Sequence, residues 1–446
     1  MERMALLTRS ALIAALAGFL FGFDTVVISG AEQRIQALWV LSNWQHGFAV
    51  STALWGTVTG ALLGAWPADR YGRRTTLLGI GILYLVSALW SALATGPMTF
   101  MLARFIGGIG IGVSTVVAPL YIAEIAPADM RGRLTGLFQF NIVFGILVAY
   151  LSNSWLRGIG SQDWRWMLGI AAVPSLAYTG LCLGVPESPR WLLVFRGRQE
   201  EAAQILRRID PDGTEPNAGA PVREVGTGDA APASVLRLPG AGVRRQMWLA
   251  FFIAFFNQLS GINAILYFAP RIFELAGLGA HAAMLQSVGI GVTNLVFTLL
   301  GLQLIDRLGR RTLMYIGSVG YIVSLGTCGW AFLTAHFGIV PVCVFAFIGA
   351  HAVGQGTVIW VFISEIFPNQ LRAAGQSFGS AAHWVFAALV TLFFPVLVSA
   401  LSPGYVFLLF MGMMVLQLVW VALRMPETRG LSLEQLQLRL AECKGN

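Results

Sequence analysis

Residues 69–74 read Asp-Arg-Tyr-Gly-Arg-Arg, and residues 306–311 repeat them, 237 positions later, as Asp-Arg-Leu-Gly-Arg-Arg. Two further signatures recur at almost the same offset: Glu124 with Arg131 returns as Glu365 with Arg372, and Pro186-Glu187-Ser188 returns as Pro426-Glu427-Thr428. Three separate signatures at nearly one offset indicate an internal duplication of the chain.

The composition around these signatures is typical of a membrane protein. Hydrophobic residues make up 56% of the 446 residues, charged residues only 11%, and the mean hydropathy is +0.71. The apolar runs are close to 20 residues long and apolar on every face, which suits a polytopic membrane protein and not a soluble one. The net charge of +8 resides in loops between these runs, which argues against a nucleic-acid partner.

Reading the apolar runs between charged loops predicts twelve spans. The duplication offset covers six spans and a long loop, so both halves enter the membrane in the same orientation. We therefore predict an all-α membrane protein of twelve transmembrane helices in two parallel six-helix halves. The predicted domains are an N-terminal half at 1–186, a loop with short helices and a flexible linker at 187–245, a C-terminal half at 246–424 and a tail at 425–446.

The basic residues predict the orientation. Of the 29 Lys and Arg residues, 24 fall on one side of the predicted spans when both termini are counted with that side. By the positive-inside rule, we expect both termini to face the cytoplasm of a multi-pass protein of the cell (inner) membrane.

Asp24, within the first predicted span, is the sharpest functional signal. An isolated intramembrane carboxylate is costly unless it is protonated or paired, and such residues are usually functional. Arg104 in the fourth span is its natural partner. We predict that the pair is a proton-coupling site, at which conformational change switches Asp24 between its proton-bound and proton-free forms; a fixed ion pair that only joins two helices is the alternative.

Several longer strings resemble the sugar porter family of the major facilitator superfamily. They are GFLFGFDTVVISGA, DRYGRR, RFIGGIGIG, YIAEIAPADMRGRL, PESPRWLL, NQLSGINAILYFAP, DRLGRR, SEIFPNQLRAAGQS and PETRG, in family order from about residue 14 to 430. The resemblance is greatest to bacterial sugar–proton symporters. It implies the major facilitator fold and an aspartate at position 24 in proton-coupled members.

The resemblance also implies a sugar site. Neutral amides can donate to and accept from sugar hydroxyls, and an amide left unpaired by the wrong ligand costs about 1–3 kcal/mol. The implied substrate-binding residues are Gln139, Asn257, Gln258, Asn263, Tyr267, Asn294, Trp360 and His383. For any one of these amides, a purely structural contact between helices is the alternative.

Three positions depart from the family pattern. Asn257 stands where a Gln is usual, His383 where sugar-binding members have Asn or Gln, and Ala352 where glucose transporters have Glu. These departures leave the identity of the sugar open: glucose, xylose, galactose and inositol all fit the resemblance.

Charged residues at the predicted cytoplasmic helix ends form a third group. In the family such residues join the two halves when the site faces outward, which makes a latch that breaks when the inside opens. The predicted latch residues are Arg70, Glu124, Arg131, Glu187, Arg190, Arg307, Glu365, Arg372 and Glu427. The alternative is that these charges only control topology.

We therefore expect a transporter that imports a monosaccharide, hexose or pentose, with protons by alternating access. The alternatives are a facilitative sugar uniporter of the same fold and, with less support, a sugar sensor that does not transport. No metal cluster or nucleophile–base constellation stands out, so we expect no enzyme activity, no metal and no cofactor other than the coupling proton. The expected partners are the sugar and the lipid bilayer, and we expect a monomer to be functional.

Overall fold

A computed structural model of the chain describes residues 2–209, 243–368 and 371–430. The predicted flexible linker and most of the C-terminal tail lie outside these residues. Helices of the N-terminal half are α1 (Glu2–Leu38), α2 (Asn43–Leu63), α3 (Ala65–Tyr71), α4 (Arg73–Leu93), α5 (Pro97–Ile125), α6 (Ala128–Leu156), α7 (Asp163–Gly169) and α8 (Ala172–Cys182). Two short helices follow, α9 (Pro189–Arg196) and α10 (Gln199–Ile209).

The C-terminal half repeats this pattern with more interruptions. Its helices are α11 (Arg244–Leu259), α12 (Ile262–Tyr267), α13 (Ala269–Leu275), α14 (Ala280–Leu308), α15 (Arg310–Leu333), α16 (Val340–Val353), α17 (Gln355–Ile366), α18 (Arg372–Ala400) and α19 (Pro403–Leu423). A short 3-10 turn, Phe337–Ile339, precedes α16. The architecture is the predicted one, an all-α protein in two similar halves.

The predicted spans are present as long apolar helices. Ten segments of the described chain are long and apolar enough to cross a membrane, and the bent pair α2–α3 makes an eleventh. The remaining predicted span, 164–185, is divided between α7 and α8. Large apolar side chains cover the outer surface, such as Trp155 at 88% exposure and Leu423 at 73%. An apolar exterior of this extent suits contact with lipid.

Two spans of the C-terminal half are broken near their middle. The seventh span stops at Ser260 and Gly261 and restarts as α12, because Gly261 adopts a φ of +85° that side-chain-bearing residues rarely adopt. The tenth span breaks at Gly354, between α16 and α17. Interrupted helices expose backbone and polar side chains at membrane depth, which is tolerated where they line a cavity.

Glycines allow close packing inside the N-terminal half. A Cβ on Gly56 or Gly60 of α2 would meet backbone atoms of α5 at 2.2–2.3 Å, and one on Gly108 of α5 would collide with the carbonyl of Ala53. Small residues facing each other in this way let two membrane helices approach closely. They fix α2 against α5, the helix that carries Arg104.

The two halves meet through α2 against α18 and α6 against α14, with further contacts from α1 to α12 and α13. We call the end of the bundle with the loops at 69–74 and 306–311 the basic end, and the other end the opposite end. This packing places α1, α2 and α6 of the N-terminal half against α12, α13, α14 and α18 of the C-terminal half.

Candidate sugar and proton site

Asp24 and Arg104 form a buried ion pair in the N-terminal half. One guanidinium nitrogen of Arg104, Nη1, donates to Asp24 Oδ1 at 2.7 Å, and Nη2 donates to the backbone carbonyl of Asp24 at 3.0 Å. The two residues are only 4% and 2% exposed. In the described part of the chain, Asp24 Oδ2 has no hydrogen-bond partner. The predicted partnership is therefore present, and one carboxylate oxygen is left available for a proton.

Gly107 lies beside the Asp24–Arg104 pair, where a larger side chain would not fit. A Cβ at Gly107 would lie 2.3 Å from Ser87 Oγ and 3.8 Å from Asp24 Oδ2. The Ser87 hydroxyl and the Tyr84 hydroxyl are both buried; within the described residues the Ser87 hydroxyl has no hydrogen-bond partner, and Tyr84 interacts with the side chain of Ser114. Sequence reasoning missed these two hydroxyls, because a Ser or a Tyr in an apolar span is common and carries little signal by itself.

Four predicted sugar-site residues join in one polar cluster, which comprises Asn257, Gln258, Asn263 and His383. Gln258 is its centre: its amide nitrogen donates to Asn257 Oδ1 at 3.0 Å and lies 3.0 Å from His383 Nε2. Its amide oxygen accepts from Asn263 Nδ2 at 2.7 Å. All four side chains are at most 7% exposed. Broken helix α11–α12 supplies the three amides and α18 supplies the histidine.

An aromatic wall adjoins the polar cluster. The rings of Trp360 and His383 are 4.8 Å apart between centroids, and His383 also contacts Trp384 at 4.7 Å. Trp384 packs edge-on against Phe21 of α1, so the wall reaches the other half of the molecule. Flat rings beside amides suit a ligand that has hydroxyl groups and an apolar ring face.

The other predicted site residues lie on α6, α14 and α12. Gln139 of α6 is half-buried, and Asn294 of α14 is buried and contacts Thr298 at 3.4 Å. Neither forms a hydrogen bond with the polar cluster within the described residues. Tyr267 is fully buried at the end of α12, directly after Leu266, whose carbonyl accepts a 2.7 Å hydrogen bond from Tyr150 of the N-terminal half.

The predicted latch acids make their ion pairs within a single half. Arg73 donates to both carboxylate oxygens of Glu124, at 3.0 Å from Nε and 2.9 Å from Nη2, and Arg310 donates to Glu365 at 2.7 Å. The arginines in these pairs are the fifth residues of the two repeated motifs, whereas Arg70, Arg190 and Arg307 are exposed. The side chain of Arg131 lies outside the described part of the chain, and Arg372 begins α18.

Glu187 and Glu427 cap the helices that follow the repeated motifs. Glu187 Oε1 accepts backbone N–H hydrogen bonds from Arg73 and Arg74 at 2.8 and 3.1 Å, and Glu427 accepts them from Arg310 and Arg311 at 3.0 Å. A carboxylate at a helix N-terminus accepts hydrogen bonds from the free N–H groups and is attracted by the positive end of the helix dipole. Burial raises the pKa of the Glu187 carboxyl above its ordinary value, and the backbone donors oppose that rise. The duplicated Pro-Glu signature is therefore a duplicated cap.

Gly72 is required by this cap, which gives a testable prediction. Gly72 has a φ of +99°, and a Cβ there would lie 2.3 Å from Glu187 Oε2. Gly72→Ala should therefore lower stability by about 1–3 kcal/mol through backbone strain and loss of the cap. Gly79→Ala, in the same helix with open space around its Cβ position, is the matched control. The measurement is the melting temperature of each variant in detergent; equal values would refute this account of the cap.

Ion pairs at the opposite end join the two halves and were missed from the sequence. Arg271 of α13 donates to both oxygens of Glu32 of α1, at 3.0 Å from Nε and 2.8 Å from Nη2. Arg157, after α6, lies 3.6 Å from Glu274 of α13. Glu32 directly follows the first predicted span, residues 9–31, so only its complete burial in the structure distinguishes it from an ordinary loop acid.

No group of three or more His, Cys, Asp or Glu side chains that could hold a metal occurs in the described residues. The described residues place neutral hydrogen-bonding groups on one half, a buried ion pair on the other, and an aromatic wall that reaches both.

Comparison with known proteins identifies the family. The family described as "Sugar (and other) transporter" matches residues 10–439. The D-xylose-proton symporter of Escherichia coli (strain K12) is 35% identical over 96% of this chain and 94% of its own length. The arabinose-proton symporter of Bacillus subtilis (strain 168) is 34% identical over 95% and 93%.

The fold agrees with a solved structure at similar identity. The inward open conformation of the xylose transporter XylE from E. coli superposes with a TM-score of 0.84 and 33% identity, and the match covers 96% of this chain and 98% of that one. Sequence and structure therefore agree over nearly the whole length, and the chain belongs to the sugar transporter family.

Proposed function

We propose that this protein imports a monosaccharide together with protons by alternating access. The observation that carries the proposal is the buried Asp24–Arg104 pair, in which one carboxylate oxygen has no partner within the described residues. Protonation of Asp24 would remove its charge and weaken its hold on Arg104. The pair then has two arrangements of different charge, which is what coupling to a proton gradient requires.

The polar cluster is the proposed sugar site. Gln258 already uses its amide nitrogen and oxygen for hydrogen bonds to its neighbours, so a sugar that binds there has to exchange these bonds for its own hydroxyls. A ligand with too few hydroxyls would leave buried amides unpaired. Since related proteins carry xylose or arabinose in their names, pentoses are proposed beside hexoses, and His383 is the proposed reason for a distinct selectivity.

The orientation follows from charge. We place the basic end in the cytoplasm of a bacterial cell with the protein in the inner membrane, as the positive-inside rule requires. The Glu32–Arg271 and Arg157–Glu274 pairs then close the extracellular side. The structure would be inward-facing, which agrees with its likeness to an inward open transporter.

The latch at the basic end fits the same cycle. In an inward-facing state, Glu124 and Glu365 are held by Arg73 and Arg310 of their own halves. When the cytoplasmic side closes, Arg131, Arg190 and Arg372 are the proposed additional partners that would link the halves. A network of several pairs is needed, because one exposed ion pair contributes only about 0–1 kcal/mol.

The test is uptake by proteoliposomes of purified protein in lipid. A panel of labelled xylose, arabinose, glucose, galactose and inositol is offered with and without an inward proton gradient. With the gradient, we expect at least one sugar to accumulate above its external concentration. Addition of a protonophore, which dissipates the gradient, should abolish that accumulation. Uptake that stops at equal concentrations in both conditions would identify a uniporter instead, and absence of saturable uptake of every sugar would refute the proposal.

A further inference from the structure

Glu32, His46 and Arg271 form a buried charge cluster at the opposite end, away from the Asp24–Arg104 pair. His46 Nε2 lies 2.8 Å from Glu32 Oε2, and Arg271 Nη2 lies 2.8 Å from the same oxygen. Both the Glu32 and the His46 side chains are fully buried, while the Arg271 side chain is 23% exposed. Arg271 also donates to Gln36 Oε1 at 2.6 Å.

The members of this cluster divide unequally between the halves. Glu32, Gln36 and His46 belong to α1 and α2 of the N-terminal half, whereas Arg271 belongs to α13 of the C-terminal half. If the halves separate at this end, Arg271 moves away from Glu32. Glu32 then keeps its contact with His46, a residue that becomes positively charged when it binds a proton. Separation of the halves would therefore break the Arg271–Glu32 contact and leave the His46–Glu32 contact in place.

We propose that Glu32 and His46 are a second proton-binding site, which takes up a proton when the extracellular gate opens; this rests on the orientation in the proposed function. In the closed gate, the Arg271 guanidinium neutralises the Glu32 carboxylate. Loss of Arg271 leaves the Glu32 carboxylate, which is fully buried in the closed gate, without its opposite charge, and an unpaired buried charge is costly. A proton from outside, bound to His46 or to the carboxylate, supplies the missing positive charge.

Linkage fixes the direction of the effect. Because the open gate binds a proton that the closed gate does not need, external acid favours the open gate. With one proton for each gate, the ratio of open to closed molecules changes at most about tenfold for each pH unit. The proton enters from the side on which the gradient supplies it, so the site helps the empty transporter to turn outward.

Other charged groups near the cluster are engaged elsewhere or lie deeper. On the neighbouring elements, Arg34 pairs with Asp163 at 3.3 Å and Glu274 pairs with Arg157. Asp24 lies eight residues before Glu32 on α1, about 12 Å away along the helix, and is paired with Arg104 of α5.

An aromatic ring adjoins His46 on the side of the C-terminal half. Its ring packs edge-on against Phe268 at 5.8 Å, and Phe268 stacks on Phe394 of α18. The residue after His46, Gly47, faces the backbone of Leu392. The titratable residue on α18, His383, lies nine positions before Leu392, about 13 Å along the helix, and Tyr267 precedes Phe268. Protonation of the Glu32–His46 pair is therefore separable from protonation of Asp24.

The test measures gate opening directly. Spin labels are attached at Val40→Cys and Ala282→Cys, two exposed positions on different halves at this end, in a background without the four native cysteines. Asp24→Asn is included to remove titration at the first site. Electron–electron distance distributions in lipid nanodiscs are recorded between pH 5 and 8. We expect the fraction with the longer distance to rise as the pH falls.

Three further variants make the outcome decisive. His46→Gln should remove most of the pH dependence, and Glu32→Gln should open the gate at every pH. Glu274→Gln is the matched control, since it breaks the other ion pair between the halves and should raise the open fraction while the pH dependence remains. An unchanged pH dependence in both His46→Gln and Glu32→Gln, or closure of the gate by acid, would overturn the proposal. The distances need no transport, so absence of sugar uptake would refute the proposed function alone.

Discussion

Asp24→Asn is expected to abolish accumulation of sugar against its gradient while exchange of sugar across the membrane persists. Asn keeps the size of the side chain and can still accept from Arg104, but it carries no charge and does not titrate. With one proton for each sugar, a gradient of one pH unit supports about tenfold accumulation in the native protein, and the variant should reach equal concentrations on both sides.

The measurement is a pair of assays on one proteoliposome preparation. Gradient-driven uptake reports coupling, and counterflow of labelled against unlabelled sugar reports the alternating movement alone. Glu201→Gln is the control, because it neutralises an exposed acid whose partner is Arg198 on the surface, and both assays should be unaffected. Uphill uptake that survives in Asp24→Asn would show that the coupling residue lies elsewhere.

Gln258→Ala is expected to weaken sugar binding most strongly among the amide replacements. The change removes the centre of the polar cluster, so Asn257, Asn263 and His383 lose a shared partner and their orientation. A lost buried hydrogen bond costs about 1–3 kcal/mol, which corresponds to a rise in Kd of roughly fivefold to 150-fold.

Equilibrium binding of the transported sugar to purified protein tests this expectation. Gln417→Ala is the matched control: Gln417 is a fully buried amide of the same half whose bond goes to Ser318 of α15 at 2.8 Å. Truncation of Gln417 should lower the melting temperature and leave Kd unchanged. If the two variants bind sugar equally well, the polar cluster is a structural contact and the sugar lies elsewhere.

Much of the fold could be predicted because its signals are local in the sequence. Apolar runs of membrane length and the duplicated motifs were enough to predict the spans and the two parallel halves. The breaks at Gly261 and Gly354 were not predicted, since a glycine in a span is as often a packing residue as a break. Helix α1 also runs to Leu38, beyond its apolar stretch; one face of its last turns, which carries Glu32 and Ile35, is buried by contacts that hydropathy does not report.

The site was predictable where a residue type is unusual for its environment. Asp24 and Arg104 stand out as charges in apolar spans, and in the structure they lie 2.7 Å apart as an ion pair. The partners of Glu124 were not predictable, because each repeated motif offers three arginines and only packing shows that Arg73 is the buried one. Glu32 and His46 were missed for the opposite reason: both fall at a predicted span end, where polar residues are ordinary.

Sugar-induced proton movement tests the central claim most directly. Vesicles containing the protein are suspended in weakly buffered medium without an imposed gradient, the transported sugar is added outside, and the external pH is recorded. Coupled import predicts a transient rise in external pH that depends on the sugar concentration and is absent with Asp24→Asn. Sugar entry at the native rate with no change in external pH would contradict the account.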